Sequence, residues 1–426
     1  MAPDLLKLII ADQQEEQTAS LPYFQRTSEQ KLKELALNKE IIVLTGVRRC
    51  GKSVLLQQIR RQSTESDYYF NFEDERLLNF SLSDFQTLYE VFIELFGVQK
   101  TFYFDEIQNI LGWESFIRRL YNAGNKIYIT GSNATLFSTE LGTRLTGRYI
   151  SLKIYPFSFY ELVWHEGSEL LNKKVFSTQQ IGKIKKLFND YYEYGGIPDY
   201  VKNKQMDYLH SLYESIIYRD IIARYKITSD KAIKALVFYL ASHCSKEMSY
   251  SSLRKLLGLG SVTTISDYCS YLENSFLCFF VNRYHESIKV QIQSPKKIYF
   301  IDHALARTIG FHFSEDKGRV LENIVLIELK RKNYDIYYHN ESKECDFILK
   351  QGAQIVGAIQ VCQQLTEEKT KTREIEGLIE AMARYSLKKG YILTESEEST
   401  EVIKKDRQSY SIIVLPLWKW LLDILH

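Results

Sequence analysis

Ile41-Ile42-Val43-Leu44-Thr45-Gly46-Val47-Arg48-Arg49-Cys50-Gly51-Lys52-Ser53 decides how this chain is to be read. Its first five residues are apolar or β-branched and predict a buried strand. A helical pattern, Val54–Arg60, follows the loop. Between the two lies G-x-x-x-x-G-K-[ST], with a strand before it and a helix after it, as the pattern requires. Glycines let the backbone curl so that successive N–H groups point inward at an anion. The helix N-terminus adds its partial positive charge. Gly46, Val47, Arg48, Arg49, Cys50, Gly51, Lys52, Ser53 and Val54 are therefore the expected nucleotide cradle. Lys52 is expected on the β- and γ-phosphates, and the Ser53 hydroxyl on Mg2+.

Four further strand-like runs flank this segment: Tyr68–Phe72, Thr101–Phe104, Lys126–Thr130 and Tyr149–Lys153. Each is mostly apolar or aromatic, as strands covered on both faces should be. Alternating with helical stretches over the first ~200 residues, they predict a parallel sheet layered by helices. The run Thr101-Phe102-Tyr103-Phe104 ends in Asp105-Glu106, which puts two carboxylates where such sheets hold ligands. Asp105 is the expected Mg2+ partner and Glu106 the base that polarises the attacking water; a solvated acidic turn is the competing reading.

The strand at Lys126–Thr130 runs into Gly131-Ser132-Asn133. Asn133 suits the attacking water or a γ-phosphate, against a plain helix N-cap role for Ser132 or Asn133. Arg144 and Arg148 precede the next strand. An arginine there is expected to reach a neighbouring subunit's γ-phosphate, with surface salt bridging as the alternative.

Downstream, Met206–Cys244 has helical spacing, and two helix-like stretches follow at Tyr250–Leu257 and Val262–Asn274. Strand-like runs at Phe276–Asn282 and Lys297–Ile301 complete a winged-helix outline. Val262–Asn274 contains no Lys or Arg, whereas groove readers hold the DNA backbone with cations. Arg254, Lys255, Arg283, Lys296 and Lys297 remain as cations for a duplex. A third α/β unit follows, with a helix at Val320–Arg331 and strands at Tyr334–Tyr338, Asp346–Leu349, Gln354–Val361, Gly390–Thr394 and Ser411–Pro416.

The whole chain sets bounds on these readings. Its 426 residues exceed one ordinary core, and the expected division is 1–200, 201–310 and 311–426. With 55 Lys and Arg against 53 Asp and Glu, the net charge is +2; no molecule-wide field advertises a polyanion. Cys50, Cys244, Cys269, Cys278, Cys345 and Cys362 form no CxxC pair, which fits reduced thiols. The N-terminus makes a poor signal peptide, and no stretch approaches the ~20 apolar residues of a membrane helix. A cytoplasmic protein is expected.

These motifs together resemble an AAA+-type P-loop ATPase, and more narrowly a family of prokaryotic ATP-binding proteins with a C-terminal domain of unknown function. The likeness rests on the two arginines before Gly51, on Asn71-Phe72-Glu73-Asp74-Glu75-Arg76, and on Asp105-Glu106-Ile107-Gln108. Gly131-Ser132-Asn133, Tyr155-Pro156-Phe157-Ser158-Phe159-Tyr160-Glu161 and Tyr194-Gly195-Gly196-Ile197-Pro198 add to it. So do Lys297-Ile298-Tyr299-Phe300-Ile301-Asp302 and Gly318-Arg319-Val320-Leu321-Glu322-Asn323. The resemblance implies ATP rather than another nucleotide, Mg2+ dependence and a homo-oligomer.

The last unit resembles the restriction-endonuclease-like fold, with Glu322 and Asp346 at two of its metal positions. Gln360 and Cys362 stand where a Glu and a Lys belong, so a degenerate domain is expected, with Glu344 as a partial substitute. The function expected overall is a Mg2+-dependent ATPase that rearranges its C-terminal interaction domains. Alternatives are a slowly turning nucleotide switch that binds DNA or an unknown protein partner, and an ATP-dependent nuclease.

Overall fold

All five residues of Ile41–Thr45 are buried in strand β1, an interior strand of the first sheet. The computed structural model describes every residue except 19–23, 134–144, 146, 172–175, 312–316, 406–407 and 424–426. β2 (Tyr69–Asn71), β3 (Thr101–Asp105), β4 (Lys126–Gly131) and β5 (Tyr149–Lys153) complete the sheet. Its order is β2-β3-β4-β1-β5, and every neighbouring pair is parallel. The expected strands are found with shifts of a residue or so at their ends. The expected α/β fold holds: a parallel sheet first, then a mixed sheet.

Helices α1 (Pro3–Thr18), α2 (Thr27–Ala36), α3 (Lys52–Arg61), α4 (Asp84–Phe96) and α5 (Trp113–Asn122) accompany this sheet. Its core is rich in aromatic rings. Phe85 and Phe116 stack at 4.6 Å between centroids, and Phe70, Phe72, Phe80, Phe102 and Phe104 pack nearby. Leu6, Ile9 and Ile10 of α1 are fully buried in the same cluster, so the N-terminal segment is a structural helix of this unit. This compact unit comprises Met1–Tyr155 with Asn274–Phe276.

The second unit, Pro156–Glu273 with Leu277–His426, is organised on a nine-stranded mixed sheet. Its strands are β6 (Glu247–Met248), β7 (Cys278–Arg283), β8 (Lys296–Phe300), β9 (Asp335–Asn340), β10 (Glu344–Gln351), β11 (Gln354–Val361), β12 (Lys389–Thr394), β13 (Ser399–Lys405) and β14 (Gln408–Pro416). The order is β13-β14-β12-β11-β10-β9-β7-β8-β6. The ribbon β7–β8 is thus continuous with the later strands, through a short parallel pairing of Asn282 with Tyr337 and Arg283 with Tyr338. Strand β13 has no counterpart in the sequence reading. It is a mostly exposed edge strand with only Val402 and Ile403 as apolar residues, so its alternation is weak.

Asp302 explains why Tyr194-Gly195-Gly196-Ile197-Pro198 and Ile301-Asp302 belong together. Its Oδ2 accepts from Gly196 N at 2.7 Å, and its Oδ1 accepts from Ala304 N and Leu305 N at 3.0 Å each, capping the His303–Ile309 helix. Gly195 has φ +66°, and a Cβ on it would lie 2.4 Å from Asp302 Oδ1. A charged acceptor serving three buried N–H groups contributes strongly, and removing it leaves them unsatisfied. Asp302→Ala is expected to destabilise the second unit by about 3 kcal/mol, read as a lowered urea midpoint. Gly195→Ala should lower it too, through strain and the clash with the carboxylate.

Candidate functional site

The sheet order brings the ends of β1, β3 and β4 to one edge. The loop after β1 is shaped by close approach. A Cβ on Gly46 would sit 2.1 Å from the Ile154 carbonyl oxygen, so only glycine fits. Arg49 takes φ +63° and Gly51 φ +99°, and Gly51 is the N-cap of α3. The helix starts at Lys52, two residues earlier than the sequence suggests, which puts Lys52 and Ser53 in its first turn. Cys50 faces the rear of the loop: its buried Sγ donates to the Ile154 carbonyl at 3.3 Å, and burial pushes the thiol up. Val47 is fully buried, whereas Val54 is half exposed on α3.

Lys52 is 4% exposed, and its Nζ donates to the Gly46 and Val47 carbonyls at 3.2 Å each. The same ammonium lies 3.5 Å from Glu106 Oε1. Ser53 Oγ donates to Asp105 Oδ1 at 3.0 Å. Thr130, at the end of β4, donates to the same oxygen and accepts from Glu106 N at 2.9 Å. Thr130 is therefore a site residue outside the expected set; its signal is a hydroxyl near the end of a mostly apolar strand. Gln108 donates to Glu106 Oε2. Glu106 itself takes φ +50°, a conformation concentrated at functional positions.

Burial separates the two carboxylates electrostatically. Loss of hydration raises Asp105 from its ordinary range to about 6, and the neighbouring Glu106 charge adds to the shift. Burial also acts to raise Glu106, but the Lys52 and Arg48 charges outweigh it and hold Glu106 below its usual range. At neutral pH Glu106 is ionised, as a base must be.

Two arginines fix the loop from outside. Arg48 pairs with Glu73 at 2.5 Å, tying the loop to the Asn71–Arg76 motif after β2. Arg26, 6% exposed and at the N-cap of α2, donates to the Cys50 carbonyl at 3.0 Å and to the Tyr155 carbonyl at 2.6 Å. Arg26 lies outside every motif, and nothing local in the sequence marks it. Its guanidinium fork spans the two carbonyls, a geometry lysine cannot reproduce.

Asn133 follows β4 and is fully buried; the pairing of Thr45 with Gly131 sets it at the edge that holds the loop. Arg148 is at the opposite edge. Its carbonyl accepts from Ile41 N, at the start of β1, about 16 Å of strand away from the loop. It does not meet Lys52, Asp105 and Glu106 within one chain. Arg144 lies outside the described residues. Lys297, counted among the cations for a duplex, is 2% exposed and not open to DNA. The His339–Glu341–Glu380 group has metal-like composition, but both ring nitrogens of His339 are engaged, by Tyr385 and Glu380, and Glu380 also accepts from the backbone of Ser342 and Lys343.

A five-stranded parallel sheet with this loop and acidic strand end defines an AAA-type P-loop protein, and residues 38–163 match the family model described as AAA domain. Residues 185–315 and 317–420 match two domains of unknown function, DUF8612 and DUF4143. The chain is 33% identical over 397 residues to the uncharacterized protein MJ1544 of Methanocaldococcus jannaschii, covering 89% of this chain and 88% of the other. It is 34% identical over 381 residues to an uncharacterized protein of Haemophilus influenzae, covering 85% and 91%. The chain belongs to this family of AAA-domain proteins with a C-terminal domain of unknown function.

Among solved structures, AMPPCP-bound DnaA from Aquifex aeolicus aligns over 59% of this chain and 89% of that one, at 16% identity and a TM-score of 0.27. A STAND protein with a tetratricopeptide repeat sensor from Pyrococcus horikoshii aligns over 74% and 47%, at 12% identity and a TM-score of 0.29. Likeness at that level carries no argument about function. Among the described residues no helix is long and apolar enough to cross a membrane.

The raised Asp105 predicts an unusual stability profile. Between the unfolded value of 3.8 and about 6, the folded chain keeps a proton that the unfolded chain loses, so stability falls as pH rises through this window. Above it the penalty is complete, on the order of 3 kcal/mol. Asp105→Asn keeps an acceptor for Ser53 and Thr130 and removes the charge. Its expected effect in metal-free buffer at pH 7.5 is a higher calorimetric midpoint, with the gain fading as pH falls to about 4.

Proposed function

We propose that this chain is a Mg2+-dependent ATPase whose turnover rearranges its C-terminal modules. The observation that carries the reading is the meeting of Lys52, Ser53, Asp105 and Glu106 at one sheet edge. Ser53 Oγ and Asp105 Oδ1 are hard oxygen donors 3.0 Å apart, a pair that suits Mg2+. Ser53 and Asp105 would hold the ion, and it would supply Lewis-acid neutralisation of the charge that develops on the phosphates.

The chain's own residues do the rest. Backbone N–H groups of the Gly46–Ser53 loop take the phosphates, and Lys52 exchanges its loop carbonyls for phosphate oxygens. Glu106, freed from Lys52, accepts a hydrogen bond from the attacking water and polarises it along the line of the breaking bond. Asn133 senses the γ-phosphate. Arg148 or Arg144 acts on a neighbouring subunit's nucleotide, since Arg148 is remote from its own loop; this role requires a homo-oligomer. Adenine is favoured through the family resemblance. The three-part division at 1–200, 201–310 and 311–426, a winged-helix-like unit, a cytoplasmic setting, and DNA or a protein as the partner of the downstream modules belong to the same reading.

A slowly turning switch is the second reading, and the Lys52–Glu106 ion pair favours it: the lysine that must grip phosphate also restrains the base. Phosphate release and nucleotide retention separate the two. Lys52→Ala should lose retention, whereas Glu106→Gln should keep it and lose turnover by about a hundredfold or more. Equal rates for both variants and the unaltered chain would end the ATPase reading. Tight retention with negligible turnover would select the switch.

A further inference from the structure

The second unit holds a buried charge cluster that the sequence reading did not assemble. Lys297 and Tyr299 lie on one face of β8, as alternate residues do, and Glu344 and Asp346 on one face of β10. Lys297 Nζ is 2.7 Å from Asp346 Oδ1, 2.7 Å from Glu344 Oε1 and 3.1 Å from Glu322 Oε1. Three carboxylates from a helix and a strand thus converge on one ammonium. A lysine does stand at this centre although Cys362 occupies the position where one belongs: it comes from β8, 49 residues before Asp346, and not from the Gln360-Val361-Cys362 strand.

The surrounding contacts fix this arrangement. Tyr299 donates to Glu322 Oε1 at 2.6 Å, and Val361 N donates to Asp346 Oδ2 at 2.9 Å. Gln360 is spent at both ends: its Oε1 accepts from Asp346 N at 3.1 Å, and its Nε2 donates to Glu374. Cys362 packs in the apolar cluster with Ile348, Leu378 and Ile392, and burial pushes its thiol up. Lys297 is 2% exposed and its Nζ lies 5.8 Å from the Tyr338 ring, so withdrawing the ammonium would strand a charge among aromatic side chains. Burial acts against its charge, but the carboxylates more than offset that and hold it protonated. Glu322, Glu344 and Asp346 border a cavity of about 860 Å³, so the cluster is not a closed core feature.

We propose that Lys297 is a built-in replacement for the divalent ion that such a carboxylate cluster would otherwise bind. An ammonium and a hard divalent cation compete for the same convergent oxygens, and the tethered one is present at an effective concentration no free ion matches. The restriction-endonuclease-like resemblance implies a metal here; these residues do not fit one while Lys297 is in place. The last domain is on this view neutralised from within, and it cuts no phosphodiester.

Mn2+ titration followed by electron paramagnetic resonance tests this on the full chain without nucleotide, carrying Asp105→Asn so that the nucleotide site lacks its expected metal carboxylate. With Lys297 present, no ion should be held at this cluster. Lys297→Ala and Lys297→Met should each gain one ion per chain with at least a tenfold lower Kd, a gain abolished by adding Asp346→Asn. Should either variant fold only when Mn2+ is supplied, that rescue supports the replacement, and failure of rescue counts against it. The proposal is overturned if the chain with Lys297 holds Mn2+ in a manner lost on Asp346→Asn, or if neither lysine variant gains an ion. Mg2+-dependent DNA cutting that Asp346→Asn abolishes would overturn it as well.

Discussion

Asp105 is buried at the end of β3 with its Oδ1 shared between the hydroxyls of Ser53 and Thr130, and the first unit is arranged around that shared oxygen. The sharing is a consequence of strand order. With β4 between β1 and β3, the loop after β1, the acid ending β3 and the hydroxyl ending β4 arrive at one edge. All three strands are parallel, so their C-terminal ends share this edge. The arrangement keeps a carboxylate in low dielectric with only hydroxyl donors, from Ser53, Thr130 and Tyr69, and burial together with the Glu106 charge raises it to about 6, while Glu106, beside Lys52, falls below its usual range. One fold edge thereby sustains two acids of different character a single residue apart.

The loop is held as much from behind as from the helix it opens. Gly46 permits contact with the Ile154 carbonyl, Cys50 donates to that same carbonyl, and Arg26 joins the Cys50 and Tyr155 carbonyls. These contacts gather the loop, the segment after β5 and the start of α2 into one braced unit. Arg26 acts through the loop, so it is a positioning residue. A guanidinium bridging two carbonyls satisfies two acceptors at once.

In the second unit a different economy of charge operates. Asp302 serves three backbone donors and Lys297 serves three carboxylates; each is one buried ion surrounded by several opposite partners. Buried charge is tolerated when its hydrogen-bonding capacity is filled in this way. Both ions come from one short stretch, Lys297 to Asp302, which accounts for that motif as a packing requirement.

How much was legible follows the range of the interactions involved. The strand Ile41–Thr45, the glycine loop and the acidic ending of β3 could be read directly, because strand burial, turn chemistry and phosphate-nest geometry are properties of a few consecutive residues. The same locality made α1 look like an unremarkable terminus, since Leu6, Ile9 and Ile10 gain meaning only against the aromatic core, and it hid β13, whose exposed edge has almost no alternation. Arg26 and Lys297 carried no local signal for these roles, and Thr130 only a hydroxyl near the end of an apolar strand. Each acts through partners 24 or more residues distant, as Glu106, Cys50 and Asp346 show. Short-range chemistry therefore named the phosphate loop and its acids from the order of residues, whereas the brace, the hydroxyl bridge and the lysine-centred cluster came into being only when folding carried remote side chains within hydrogen-bond distance.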